Sequence, residues 1–369
     1  MFGTTLAKVL PKHLLWTTNH TIQGFVEKQD QHIPASLHVL GWTPALQNQL
    51  GPEDLGLEPM RVSAVHRSKM TAFAVGGQAK LSPPAGMTTA DFAVGDWVLA
   101  DPQNRQIARL LDRHSLLQRQ TVGARQLQLI AANVDTVFIV TSCNDDFNPA
   151  RLERYLAMTN EAGTGAVIVL TKVDQTPDAA KFEREAAALQ RGLQVVSING
   201  KSRDAITTLA PWCRAGQTVA LIGSSGVGKS TLLNTLAQKS EADAQATGSI
   251  REDDAKGRHT TTSRSLHTIE GGAWVIDTPG MRTLHVSDLS TGLDALFAEI
   301  TELAPECRFR DCTHQHEPGC AVQAAVASGK LDPARLARWS KLRDENKQNT
   351  PAVTGARGNK KTSQRGRRP

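Results

Sequence analysis

The spacing of apolar residues changes character twice along the chain. From about Arg61 to Ile130, short β-type runs alternate with turn signals: RVSAVH, TAFAVGG, AKLS, VGDWVLA and QIARLLD. Several short strands in about 70 residues predict a small barrel of the OB type. From Ala131 the runs become almost continuously apolar, in VDTVFIVTS, AVIVLTK, LQVVSI and TVALIG, with helical patterns over Pro149 to Glu161 and Asp178 to Arg191 between them. Strands buried on both faces and alternating with helices predict a doubly wound, mostly parallel sheet, whose ligands bind at the carboxyl ends of the strands. Towards the end, AVQAAVASGK and DPARLARWSKLRDEN predict two helices, the second with Asp332 as N-cap and Pro333 at its first position. The expected organisation is multidomain: an extension over 1–36, an OB-like barrel over 37–130, an α/β domain over 131–290, a C-terminal α domain over 291–346 and a tail over 347–369.

Composition narrows this picture. With 369 residues, 40% hydrophobic and 21% charged, the chain has room for two or three soluble domains. No apolar run approaches the roughly 18 residues of a membrane helix. The net charge of +6 points to a polyanionic partner. Its densest run is the tail, where Lys347, Arg357, Lys360, Lys361, Arg365, Arg367 and Arg368 occur without an acid, so a disordered basic arm is expected there. Met1 to Ser36 lacks the pattern of a secretory signal and is expected to be a disordered extension. In the barrel, Trp97 is expected in the core, and RNA contact would fall to phosphate recognition by residues such as Arg105, Arg109, Arg113, Arg119 and Arg125, each of which taken alone reads as a solvated side chain.

Chemistry concentrates in Val219 to Thr231, VALIGSSGVGKST. An apolar strand runs into a glycine-rich turn and then a helix, so the backbone N–H groups of Gly223, Ser224, Ser225, Gly226, Val227 and Gly228 can curl around phosphates at a helix N-terminus. Lys229 is placed for the β- and γ-phosphates, Ser230 for Mg²⁺, and Thr231 continues the helix. Upstream, Thr171, Lys172, Val173 and Asp174 end the strand AVIVL. The Asp174 carboxylate can accept from the N1–H and exocyclic amine of guanine, a pairing adenine lacks, while the Lys172 stem lies along the base. The loop at Ser197, Ile198 and Asn199 could close over the guanine O6. Downstream, GGAWVIDTPG ends a strand at Asp277, which suits the Mg²⁺ shell, and Gly280 can sense the γ-phosphate. One of Thr260, Thr261 and Thr262, with Thr261 taken as the ligand, could complete that shell.

Of five cysteines, Cys143 and Cys213 are isolated in apolar surroundings and are expected to be buried thiols. The other three lie in CRFRDCTHQHEPGC, where Cys307, Cys312, His314 and Cys320 supply a tetrahedral structural Zn²⁺ site, with His316 as a competing ligand. This cysteine usage fits a reducing cytosol. Arg308, Phe309 and Arg310 inside this loop could touch RNA.

The guanine-reading elements precede the phosphate loop and DTPG, whereas Ras-like GTPases have them after. With the OB-like segment before and the Cys/His cluster behind, the sequence resembles the bacterial ribosome small subunit-dependent GTPase A family of circularly permuted GTPases. The resemblance covers about Leu40 to Leu342 and includes IAANVDTVFIVTS, DFNPARLERYL, GSSGVGKSTLLN, GRHTTT and DTPGMR. It favours His314 as the fourth zinc ligand. It implies a monomeric cytoplasmic GTPase, without membrane attachment, that binds the small ribosomal subunit and its rRNA, assists late maturation and releases other assembly factors. Two positions depart from common GTPase patterns. Thr171 stands where many have asparagine, which should weaken one contact holding the phosphate loop. Met281 stands where Ras-like enzymes carry a water-orienting glutamine, so slow hydrolysis is expected, stimulated by the subunit, with His259 positioning water. The alternative is an RNA-binding adaptor in which GTP is mainly a structural or switching ligand.

Overall fold

The computed structural model describes residues 35–119, 127–237, 264–278 and 288–350, with the backbone of two short paired strands, Val353–Thr354 and Lys360–Lys361. His259, Thr260, Thr261, Thr262, Gly280, Met281 and Arg125 lie outside these residues.

Two short helices, α1 (Ala35–Val39) and α2 (Pro44–Gln47), come first. Strands β1 (Glu58–Val65), β2 (Met70–Ala74), β3 (Gly77–Leu81), β4 (Trp97–Ala100) and β5 (Ile107–Leu110) follow, all antiparallel where they pair. A parallel bridge between Ser82 and Gln106, with the Ile107 N–H donating to the Ser82 carbonyl at 3.0 Å, closes β3 onto β5. The strand order around the ring is therefore 1-2-3-5-4, a five-stranded barrel of OB type. Its interior is filled by Met60, Val62, Met70, Ala72, Leu81, Phe92, Val98, Ala100 and Ile107.

The alternation along β4 separates two cores. Val98 and Ala100 face the barrel interior, while Trp97 and Leu99 face outward into the larger core shared with the rest of the chain. Trp97 is fully buried as expected, against Trp42 at 4.9 Å, edge to face. Residues 35–55 thus serve the junction between the domains: Leu37, Trp42 and Leu46 join the cluster that contains Val137 and Ile139. Arg61 is the polar member of this junction. Its Nη1 donates to the Leu40 carbonyl at 2.7 Å, its Nη2 to Thr218 Oγ1, and its guanidinium lies over the rings of Trp97 and Trp274.

Three of the barrel arginines proposed for phosphate contact are otherwise engaged. Arg105 pairs with Glu58, Arg109 with Asp54 at 2.6 Å, and Arg113 binds both oxygens of the fully buried Asp96 at 2.7 Å. They brace the barrel and its flanking turns through acids 17 to 55 residues away in sequence, which only the fold brings to them.

A hairpin of β6 (Leu116–Arg119) and β7 (Gln128–Ala132) leads into the α/β domain. There β8 (Thr136–Ser142), α3 (Pro149–Glu161), β9 (Gly165–Thr171), α4 (Ala179–Ala187), β10 (Gln194–Ser197), α5 (Asp204–Leu209), β11 (Thr218–Ile222), α6 (Lys229–Leu236), β12 (Ser265–Thr268) and β13 (Trp274–Asp277) alternate. The sheet order is β10-β9-β8-β11-β13-β12, parallel through β13, with β12 antiparallel. Ala64 of β1 pairs with Ser265, so the barrel continues the same sheet.

Helices α7 (Ser290–Leu296), α8 (Ala298–Leu303), α9 (Ala321–Ala327) and α10 (Pro333–Asn349) follow the sheet. Asp332 caps α10 through the Ala334 N–H at 2.9 Å, as its sequence predicts. The helix runs past Lys347 to Asn349, three residues into the expected tail, because Asn346 is buried and ties its amide oxygen to the Leu289 N–H at 2.9 Å.

Candidate functional site

Parallel pairing sets the level of every candidate residue. Leu221 of β11 lies opposite Asp277 of β13, Ser142 opposite Thr171, and Ser197 opposite Leu170. The strand ends carrying the phosphate loop, TKVD, the Ser197 loop and Asp277 therefore meet at one edge of the sheet. The order of strands places β9 and β10 on one side of β11, with β13 and β12 on the other. A nucleotide lying across this edge would have its base by Asp174 and its last phosphate by Asp277.

The phosphate loop leaves β11 at Gly223, whose φ is +141° and where a Cβ would stand 2.2 Å from the Val140 carbonyl oxygen. Only glycine allows the loop to cross β8 that closely. Gly228 at φ +96° caps α6, after which Lys229, Ser230 and Thr231 form the first helical turn. The Lys229 ammonium donates to the Gly223 carbonyl at 2.7 Å and to that of Ser224, which holds its charge over the loop. Ser225 and Gly226 are exposed at the tip, and Val227 is buried beneath.

Thr171 is buried, and its hydroxyl donates to the Val227 carbonyl at 2.6 Å, with the Thr141 carbonyl also at 3.1 Å. It supports the loop from below. Lys172 follows in left-handed conformation at φ +58°, turning the chain so that Val173 and Asp174 start a short 3-10 turn with Asp174 exposed. Ser197 keeps a buried Oγ without a hydrogen-bond partner, and its loop is tied to α6 by the Thr235 hydroxyl, which donates to the Gly200 carbonyl at 2.7 Å. Asp277 is mostly buried at the end of β13, while Thr278 anchors to the Leu221 carbonyl.

Sequence reading missed Tyr155, the single tyrosine of the chain. It is buried in α3, and its hydroxyl hydrogen-bonds the Ser224 side chain of the phosphate loop; burial raises its pKa. Two residues earlier, Glu153 points to a different face of the helix and is fully buried, with Oε1 accepting from Arg335 and Arg338 of α10, each at 2.8 Å. One helix thus touches both the phosphate loop and the C-terminal domain. The resemblance had marked DFNPARLERYL, but no local spacing assigned its side chains.

In the C-terminal domain, the ligand atoms of Cys307, Cys312, His314 and Cys320 lie within 4.8 Å of one another. Cys307 and Cys320 Sγ are 3.8 Å apart, and His314 Nδ1 is 3.5 Å from each. Thiolates about 2.3 Å and an imidazole nitrogen about 2.0 Å from a tetrahedral zinc are separated by about 3.5–3.8 Å, so the cluster fits a structural zinc. His314 reaches it in a left-handed conformation at φ +61°, held by Gln323 Nε2, which donates to its carbonyl at 2.6 Å, and flanked by Trp339. His316, the competing ligand, lies outside this group. Cys143 and Cys213 are buried, and burial pushes their thiols up to about 11 and about 12.

A glycine-rich phosphate loop on a parallel sheet, with the TKVD strand before it in sequence and beside it in space, defines the class: a circularly permuted P-loop protein with a barrel in front and a zinc-type cluster behind. A family model described as RsgA GTPase matches residues 110–287. A small ribosomal subunit biogenesis GTPase RsgA of Mesorhizobium japonicum is 60% identical over 333 residues, spanning 90% of this chain and 96% of that protein. The crystal structure of YjeQ from Thermotoga maritima superposes with a TM-score of 0.59 at 25% identity, over 78% of this chain and 98% of that one. YloQ, described as a circularly permuted GTPase, shares the fold with a TM-score of 0.56 at 22% identity, over 82% of this chain and all of that one. The chain belongs to the RsgA GTPase family.

Proposed function

We propose that this chain is a GTP hydrolase that binds the small ribosomal subunit, assists its late maturation and leaves when hydrolysis is triggered there. Family membership supports both the reaction and the subunit, since the 60%-identical relative is named for small ribosomal subunit biogenesis. The single observation that carries the nucleotide assignment is the bond from Thr171 to Val227, which locks the TKVD strand end to the phosphate loop. GTP binds through Lys172, Val173, Asp174 and Ser197 at the base and the Gly223–Thr231 loop at the phosphates, with Thr171 acting as their support.

Mg²⁺ is held by Ser230 and Asp277, joined by Thr261; Gly280 reports the γ-phosphate, and His259 positions the attacking water. Zinc is structural, one per chain. The barrel and the C-terminal domain meet rRNA, the protein acts as a cytoplasmic monomer, and hydrolysis frees the subunit from other assembly factors. Among the described residues, no helix is long and apolar enough to cross a membrane.

The base assignment is tested by Asp174→Asn. An amide can donate to the 2-oxo group of xanthine but cannot accept both guanine donors, so the variant should lose GTP affinity by about tenfold or more and gain XTP affinity. Equal weakening of both nucleotides would remove Asp174 from the base site.

A further inference from the structure

Beyond the nucleotide contacts already described, a second group of side chains stands at the γ-phosphate end of the sheet. Arg264 immediately precedes β12, and its neighbour Ser265 lies opposite Asp277, which lies opposite Leu221 two residues before the phosphate loop. With adjacent strands about 4.8 Å apart, Ser265 is about 10 Å from the root of that loop, on the Asp277 side and away from Asp174. A second route leads to the same place: Arg119 of β6 acts on Arg264 and on Tyr155, and Tyr155 is bonded to Ser224 of the loop.

Arg264 is poorly compensated. Its Nη1 donates to the Leu129 carbonyl at 3.2 Å, and among the described residues its buried Nε has no partner and the charge acting on it is a like one, Arg119. Burial first, and Arg119 second, bring its guanidinium down to about 10. Arg61 is similarly depressed and also has an unpartnered Nε, but its two Nη atoms are bonded and its faces are covered by tryptophans at the domain junction. Packing accounts for Arg61. It does not account for two arginines brought to the same side of a phosphate loop, where a half-buried guanidinium with no counter-charge among the described residues is stabilised once an anion arrives.

We propose that Arg264, seconded by Arg119, is a phosphate-sensing residue that pairs with the γ-phosphate of bound GTP and so distinguishes GTP from GDP. The inference rests on the GTPase reading and adds a determinant of nucleotide state supplied by this chain itself. Its source is local: the fork of an arginine presents parallel N–H donors to phosphate oxygens, and the strand order leaves the last phosphate as the group on that side of Asp277.

The test uses the full chain, a fluorescent non-hydrolysable GTP analogue and the matching GDP. Arg264→Ala should weaken the GTP analogue by about tenfold or more, the range of a charge-assisted bond, and change GDP by less than about twofold. Arg264→Lys, which keeps the charge and packing stem but loses the fork, should fall between wild type and Arg264→Ala on the GTP analogue alone. Equal loss for both nucleotides, or no loss for either, would overturn the proposal. So would an unchanged GTP-to-GDP ratio accompanied by weaker small-subunit binding and a salt slope reduced by about one, which would assign the arginine to an RNA phosphate. Failure of the parent reading is separate: it would appear as absent guanine nucleotide binding in the unaltered chain.

Discussion

The Thr171 hydroxyl donates to the Val227 carbonyl at 2.6 Å, so the end of β9 that carries TKVD is tied directly to the glycine-rich loop after β11. The resemblance led us to expect a weakened contact here, because threonine replaces the asparagine of many GTPases. Threonine has a single proton to give, and it retains one bond to the loop, with a second carbonyl, that of Thr141, at 3.1 Å.

Replacing Thr171 with Val keeps the volume and removes that donor. A buried carbonyl left without its partner costs about 1–3 kcal/mol. Thr171→Val should therefore weaken GTP and GDP alike, roughly 5-fold to 100-fold, because the cost falls on the loop and not on the γ-phosphate. Titration of both nucleotides checks this; a loss confined to GTP would show that Thr171 acts elsewhere.

Much of this architecture was legible in the sequence because its signals are local. The alternation in VGDWVLA, the apolar run of β8, the proline at the start of α3 and the Asp332 cap each depend on a few neighbours. The cysteine cluster was legible for the same reason. Side-chain partners far apart in sequence were not: Asp96 and Arg113, Arg61 and Thr218, or Tyr155 and Ser224 meet only once the sheet has formed. The orientation of Trp97 depended on a neighbour, Trp42, supplied by a segment whose pattern is too short to predict.

Glu153 makes the same kind of long-range contact between α3 and α10. It is fully buried against Arg335 and Arg338, and Arg335 also binds Glu299 at 2.7 Å, donates to the Leu296 carbonyl and stacks on Phe297. Removing one partner of a buried ion pair costs about 3–5 kcal/mol, because the other charge is left behind. Glu153→Ala should lower stability by that order and expose the α7–α10 region to proteolysis before the sheet. Unchanged denaturant midpoints would contradict the assignment.

Zinc content discriminates between the two histidines. Cys312→Ser and His314→Ala should each reduce bound zinc well below one per chain and loosen the loop ahead of α9, whereas His316→Ala should leave zinc unchanged. Metal analysis after exhaustive dialysis reads all three. Loss of zinc in His316→Ala with full retention in His314→Ala would reverse the ligand set.

The most direct measurement of the central claim is GTP turnover by the purified chain at fixed salt, alone, with small ribosomal subunits, and with large subunits as control. The proposed function predicts slow hydrolysis alone and a rise of orders of magnitude with small subunits only. Tight GTP binding with no rise would contradict a subunit-triggered hydrolase and favour an RNA-binding adaptor that uses GTP as a structural or switching ligand.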